Sequence, residues 1–333
     1  MGETGAGSDM LPAYPMPGGF AIMTGRDDSC GKGRMMRIMK ATTGAAPVRG
    51  AALLWLLLAL AWLSPVWAEA QGRLWRISAE GVEPSYLFGT MHSEHPEVIR
   101  LPAAVEHAFA RSEQLVLEMV LDETAILTTV QAGLFEPGRD LKSVLPPNLY
   151  RETVEAMADY GIPEPVLRRY KPWMIFSTLM LPRSRSGLFL DMRLYQQALA
   201  ADKPVAGLET AAEQIGVFDS MPMADQVSIL RDTLDNRDRF EAWFEDMRRV
   251  YLSGDLEALA AFSDRMMGDI DPALVERFNR RFVTERNHRM AARLQPVLRQ
   301  GGAFIAVGAL HLPGEEGIIA LLREAGYEVE REE

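Results

Sequence analysis

Cysteine is nearly absent from this chain of 333 residues: Cys30 is the only one. It lies upstream of a cleavage site argued below, so the mature protein has no disulfide, no thiolate metal site and no cysteine nucleophile. Long apolar runs are lacking too. The stretch Ala51–Leu63 holds 13 residues, short of the roughly 20 that a bilayer-spanning helix needs. Positive charge is also in deficit, because residues 71–333 carry 29 basic and 41 acidic side chains. That balance argues against a uniformly basic face for phosphate backbones, and nucleic acid is not an expected partner.

What is present near the N-terminus is a targeting pattern. Residues 49–70 read RGAALLWLLLALAWLSPVWAEA. A basic residue, an apolar run, the helix-breaking Pro65 and small residues at Ala68 and Ala70 follow the plan of a secretory signal peptide. The alternative is a retained N-terminal membrane anchor, which the short run disfavours. Residues 1–48 are rich in Gly, Ser, Met and small side chains and show no sustained apolar period. They are expected to be a disordered extension, with Met35, Met36 and Met39 better spaced from the apolar run than Met1. The expected location is secreted or periplasmic, with no membrane span in the mature chain.

Residues 71–333 are long enough for one sizeable domain. Leu74–Ile77 and Tyr86–Phe88 are short β-prone runs around a turn-rich Glu80–Pro84, which predicts a hairpin. Leu101–Ser112 has helical spacing, and Gln114–Leu117 reads as a buried strand, an order that favours parallel pairing through a helical crossover. A helical insertion is expected over about 121–200, a strand at Lys203–Leu208, and further helices over about 211–300, broken near Gly254 and Asp271-Pro272. The strand Ala303–Val307, a helix from Gly314 to Ala325 and the strand Tyr327–Glu330 close the chain. The fold class is α/β: a central mixed, largely parallel sheet with flanking helices and a large all-helical insertion.

In open parallel sheets, chemistry sits beyond the carboxyl ends of the strands. Four predicted strands end in an acid–base or metal-binding group: His92 in Gly89-Thr-Met-His92, Glu118, Glu209, and His311 in Gly308-Ala-Leu-His311. If the strands are parallel neighbours, two imidazoles and two carboxylates converge on one edge. Glycine in each Gly-x-x-His is expected to permit a turn that other residues resist. His92, His311 and Glu118 form a common ligand set for a hydrolytic divalent metal with a position left for water. The same groups also suit metal-free catalysis, with His92 as general base oriented by Glu118.

Plainer roles compete with these. Glu118 at a buried strand end needs a partner, such as Arg111 or an insertion arginine. Glu209 is either a ligand or support, or the carboxylate before a helix that Thr210 and Glu213 cap. His95 lies near the site rim, whereas His107 and His288 read as solvated. Arg281, Glu285, Arg286 and Arg289 form a charged helix face, from which one arginine could reach over the sheet edge. Trp173 and its neighbouring methionines are expected to pack the insertion against the core.

The runs Leu74–Ile77, Tyr86–His92, Leu117-Glu118, Lys203–Thr210 with Gln214, and Val307–Gly317 followed by Leu321–Tyr327 resemble the TraB/PrgY/GumN family. The resemblance covers about Leu74 to Val329. It implies a TIKI-like fold, distantly similar to ChaN and the erythromycin esterases. It also implies a metal-dependent, peptidase-like hydrolase acting on a peptide or protein, with an ion such as Mn, Co or Zn. By similarity the site residues are His92, Glu118 and His311, supported by Glu209 and Arg286. A non-catalytic role in peptide binding or polysaccharide assembly is the other implication. Leu310 departs from the small residue usual before the second histidine, and is expected to narrow the mouth of the site.

Overall fold

The computed structural model describes residues 72–183, 186–267 and 270–332. The expected extension 1–48 and signal peptide 49–70, and with them Cys30, lie outside the described residues. Among the described residues no helix is long and apolar enough to cross a membrane.

Among the described residues six strands form one mixed sheet: β1 Leu74–Ser78, β2 Ser85–Thr90, β3 Gln114–Leu117, β4 Val205–Gly207, β5 Ala303–Gly308 and β6 Glu328–Arg331, in the order β4-β3-β5-β2-β1-β6. The hairpin is present, with Trp75 opposite Leu87 and Arg76 opposite Tyr86. Strands β4, β3, β5 and β2 run parallel, and β1 runs against both β2 and β6. The sheet is thus mixed and largely parallel, as its sequence pattern predicts. One expectation is modified. β2 and β3 are parallel and joined through the helix Ala103–Arg111, but β5 is inserted between them. The reason is burial: Ala303 to Val307 are all fully buried, and a strand apolar on both faces is stable only at the centre of a covered sheet.

Helices fill both long crossovers, Glu123–Ala200 and Ala211–Gln300. Two of them place the site. Leu190–Ala200 buries Leu190, Leu194 and Ala198, a stripe at i, i+4 and i+8 that lies on the sheet. Glu285–Gln300 buries Met290, Leu294 and Leu298 at the same spacing. Each of these leucines and Met290 contributes roughly 1.5–3 kcal/mol through burial. Extending the second stripe one turn back reaches Arg286, so packing of the leucines sets where the guanidinium stands.

The helices also carry a core of their own. Leu149, Met157, Trp173, Phe176 and Leu230 cluster apart from the sheet residues. Trp173 therefore belongs to the helical core and does not join the insertion to the sheet core as expected. It stacks on Phe218 with ring centres 5.5 Å apart, and its indole N–H donates to Asp219 at 3.0 Å.

Candidate active site at the carboxyl edge of the sheet

The register brings the strand ends together. Thr90 of β2 lies opposite Gly308 of β5, and Leu117 of β3 lies opposite both Ala306 of β5 and Gly207 of β4. His92, His311, Glu118 and Glu209 therefore leave four adjacent parallel strands at the same edge. After β4, Thr210 accepts from the Glu213 N–H at 3.2 Å and Glu213 accepts from the Thr210 N–H at 2.9 Å. This is the predicted capping box. It leaves the Glu209 carboxylate free to turn inward.

The two glycines act differently from expectation. Neither has a positive φ; Gly89 lies within β2, and Gly308 has φ −53° and ψ 134°. They are required by closeness. A Cβ on Gly89 would lie 2.7 Å from Leu312 Cδ1 and 3.2 Å from Ala309 Cα, and one on Gly308 would lie 3.1 Å from Glu118 Oε1. The two Gly-x-x-His segments thus pack against each other. Gly89→Ala is expected to cost about 1–3 kcal/mol by overpacking, read from the urea midpoint; parental stability in this variant would mean the segments are not in tight contact.

Glu118, Glu209, His311 and Arg286 form one buried network. Glu118 Oε1 accepts the Gly308 N–H at 2.5 Å, while Oε2 accepts Arg286 Nη2 at 2.5 Å and Gln214 Nε2 at 3.3 Å. The Glu209 side chain is fully buried and accepts Arg286 Nε at 2.8 Å and Arg289 Nη2 at 2.6 Å. Burial alone would raise the Glu118 carboxyl, but the His311 imidazole where acid protonates it, the Arg286 charge and the Gly308 N–H outweigh it and bring the pKa to about 2. Burial opposes the charge on Arg286 as well, and Glu118 and Glu209 more than offset it, so the guanidinium stays charged. Arg111, the other candidate partner of Glu118, pairs instead with Glu83 at 3.7 Å.

His311 is held from two sides. Nδ1 lies 2.6 Å from Asn287 Oδ1, which assigns the ring proton to Nδ1. Nε2 then carries the lone pair, 3.3 Å from Arg286 Nη1 and 3.7 Å from Glu118 Oε1. Burial lowers the pKa of this ring, so it is neutral near pH 7.

His92 stands apart from that network. Its side chain is 62% exposed, with Nε2 3.6 Å from Asp191 Oδ2. Phe189 meets the ring edge-on, with centres 4.8 Å apart. The orientation of His92 by Glu118, expected from sequence, gives way to a pairing with Asp191. Leu310, expected to narrow the mouth, is partly buried against the sheet core. His95 Nδ1 accepts the Glu97 N–H at 3.3 Å and caps the turn Pro96–Ile99. His107 and His288 are exposed.

The donor types His92, Glu118 and His311 suit a divalent ion. Their arrangement does not. Among the described residues no three His, Asp or Glu side chains group as ligands could. The cationic Arg286 touches Glu118 and faces His311 Nε2, where a second positive charge would be repelled. The expected three-residue ligand set is therefore not assembled.

Sequence reading missed Asn287 and Asp191. Asn287 was findable, since it shares a helix face with the buried Ala291, Leu294 and Leu298. Asp191 gave a weaker signal, because an aspartate in the first turn of a helix has an ordinary electrostatic explanation.

An α/β sheet with paired acid–base groups beyond its parallel strand ends is the class that this geometry defines. Residues 73–331 match the TraB/PrgY/gumN family model, and the chain belongs to that family. It is 27% identical over 341 residues to "Metalloprotease TIKI1" of Homo sapiens, covering 86% of this chain and 66% of that protein. It is 28% identical over 300 residues to "Metalloprotease TIKI2" of Xenopus tropicalis, covering 74% of this chain and 57% of that protein. The "Metalloprotease TIKI2" of Danio rerio is 26% identical over 300 residues, 74% of this chain and 58% of that protein. The chain spans about three fifths of the length of these curated relatives. No solved structure matches it.

Proposed function

We propose that this chain is a peptidase-like hydrolase, exported by the segment 49–70, that cleaves a peptide or protein substrate at the carboxyl edge of its sheet. The observation that carries the reading is that two imidazoles, the accessible His92 and the buried His311, leave the neighbouring parallel strands β2 and β5 at the same sheet edge as the ionised Glu118. The similarity to metalloproteases supports the same class of reaction.

His92 is the ring that solvent and substrate reach, and it takes a proton from the attacking water. His311, fixed by Asn287, and the charged Arg286 form the opposite wall, where positive charge opposes the charge that develops on the carbonyl oxygen. Glu118 and Glu209 hold that guanidinium in place. The relatives named metalloproteases point to a divalent ion, whereas His92, Glu118 and His311 are not assembled as ligands for one.

The test is incubation of the purified protein with a defined peptide mixture after exhaustive chelation, and again with Mn, Co or Zn ions added. Products are read by mass spectrometry. Cleavage is expected in at least one condition and should be abolished in His311→Gln. Intact peptides in every condition, or equal cleavage by the variant, would overturn the proposal.

A further inference from the structure

We propose that Asp191 is the positioning carboxylate of His92, fixing which ring nitrogen is free to act as base. The inference rests on the reading of His92 as the general base of a hydrolase. Asp191 lies in the first turn of the helix Leu190–Ala200. Its Oδ1 accepts the Thr90 hydroxyl at 2.7 Å, and Thr90 is the final residue of β2, two residues before His92. Its Oδ2 is buried and has no hydrogen-bond partner among the described residues.

A buried carboxylate oxygen without a donor has lost its hydration with nothing in exchange, so such an atom points to a partner that engages in a working state. The His92 Nε2 atom stands 3.6 Å away. That distance is an ion-pair separation and too long for a hydrogen bond. Catalytic hydrogen bonds are often long in the free enzyme and tighten with substrate, and a small rotation of this exposed ring closes the gap. Phe189, two residues before Asp191, meets the same ring edge-on. One short segment thus contacts the imidazole through an aromatic ring and faces its nitrogen with a carboxylate.

Nε2–H then donates to Asp191, and Nδ1 carries the lone pair that receives the proton of water. His311 is held in a parallel way with the nitrogens exchanged: Asn287 accepts from Nδ1–H, and Nε2 faces Arg286 Nη1 at 3.3 Å. Each histidine has a dedicated partner on a helix packed against the sheet.

The experiment reads the tautomer of His92 directly, in long-range ¹H–¹⁵N spectra of the full labelled chain at alkaline pH. The His92 signal is assigned by its loss in His92→Gln. The expected result is the Nε2–H form in the parent and conversion to the Nδ1–H form in Asp191→Asn, whose amide N–H₂ would face Nε2 as a donor. Thr90→Val, which frees the carboxylate to rotate, should give a mixture of the two forms. It keeps the test decisive should Asp191→Asn fail to fold. Peptide cleavage should fall at least about 100-fold in Asp191→Asn with KM unchanged.

Identical tautomers in the parent and in the folded variants would overturn the assignment, whatever the activity. Mn²⁺ that broadens the His92 signals in the parent but not in Asp191→Asn would also overturn it, because Oδ2 would then be a cation ligand. Absence of cleavage by the parent would count against the hydrolase reading and leave the tautomer result standing on its own.

Discussion

Arg286→Met is expected to destabilise the protein by about 3–5 kcal/mol, the usual cost of removing one partner from a buried ion pair. For a domain of this size that corresponds to a fall in Tm on the order of 10 °C. The side chain is 9% exposed and is, among the described residues, the one group that bonds both Glu118 and Glu209. Methionine keeps most of the apolar stem, so packing against the sheet is largely retained. What is lost is the charge. Glu209 keeps Arg289, whereas Glu118 keeps only the Gly308 N–H and Gln214. Adding Glu118→Gln to Arg286→Met should therefore restore part of the loss, since the stranded charge is removed. Thermal unfolding followed by circular dichroism distinguishes these outcomes. A loss below about 1 kcal/mol would mean that Arg286 does not hold the carboxylates.

The reach of sequence reasoning follows from the kind of information each feature carries. The hairpin, the buried strands and the capping box at Thr210 and Glu213 are local patterns, and the structure contains them. Their consequence, four polar groups at one sheet edge, needed only the assumption of parallel strands. The position of β5 between β2 and β3 could not be read, because strand order is decided by long-range burial. The glycines of the Gly-x-x-His segments illustrate the same limit. Their spacing in sequence suggested conformational freedom, but their reason is contact between Gly89 and the segment Ala309–Leu312, more than two hundred residues away.

Pairing within the site was the least legible part. Glu118 pairs with Arg286 and not with Arg111, and His92 pairs with Asp191 and not with Glu118. Side-chain chemistry names the groups that need partners; only the packing of helices decides which partner arrives. The stripe Met290, Leu294 and Leu298 delivers Arg286 and Asn287 to His311, and the stripe Leu194 and Ala198 delivers Asp191 to His92. This also explains why the metal-ligand set expected from three residues is not assembled. Glu118 and His311 are given their charged or hydrogen-bonding neighbours by the helix Glu285–Gln300, and His92 by the helix Leu190–Ala200.

That division of partners separates chemistry from folding in the final prediction. His92→Gln is expected to lower kcat for peptide cleavage by about 10²–10⁴, the range associated with a general base. Its effect on stability should stay within about 0.5 kcal/mol, as for other exposed positions, because its side chain is 62% exposed and the ring is not part of the Glu118–Arg286–His311 network. His311→Gln provides the contrast. That side chain is 8% exposed and bonded to Asn287, so its replacement should reduce both activity and stability. Measuring kcat beside the unfolding midpoint for both variants tests the assignment. If His92→Gln retained activity within tenfold of the parent, the accessible imidazole would not be the base, and the proton of the attacking water would have to pass to the buried ring of His311.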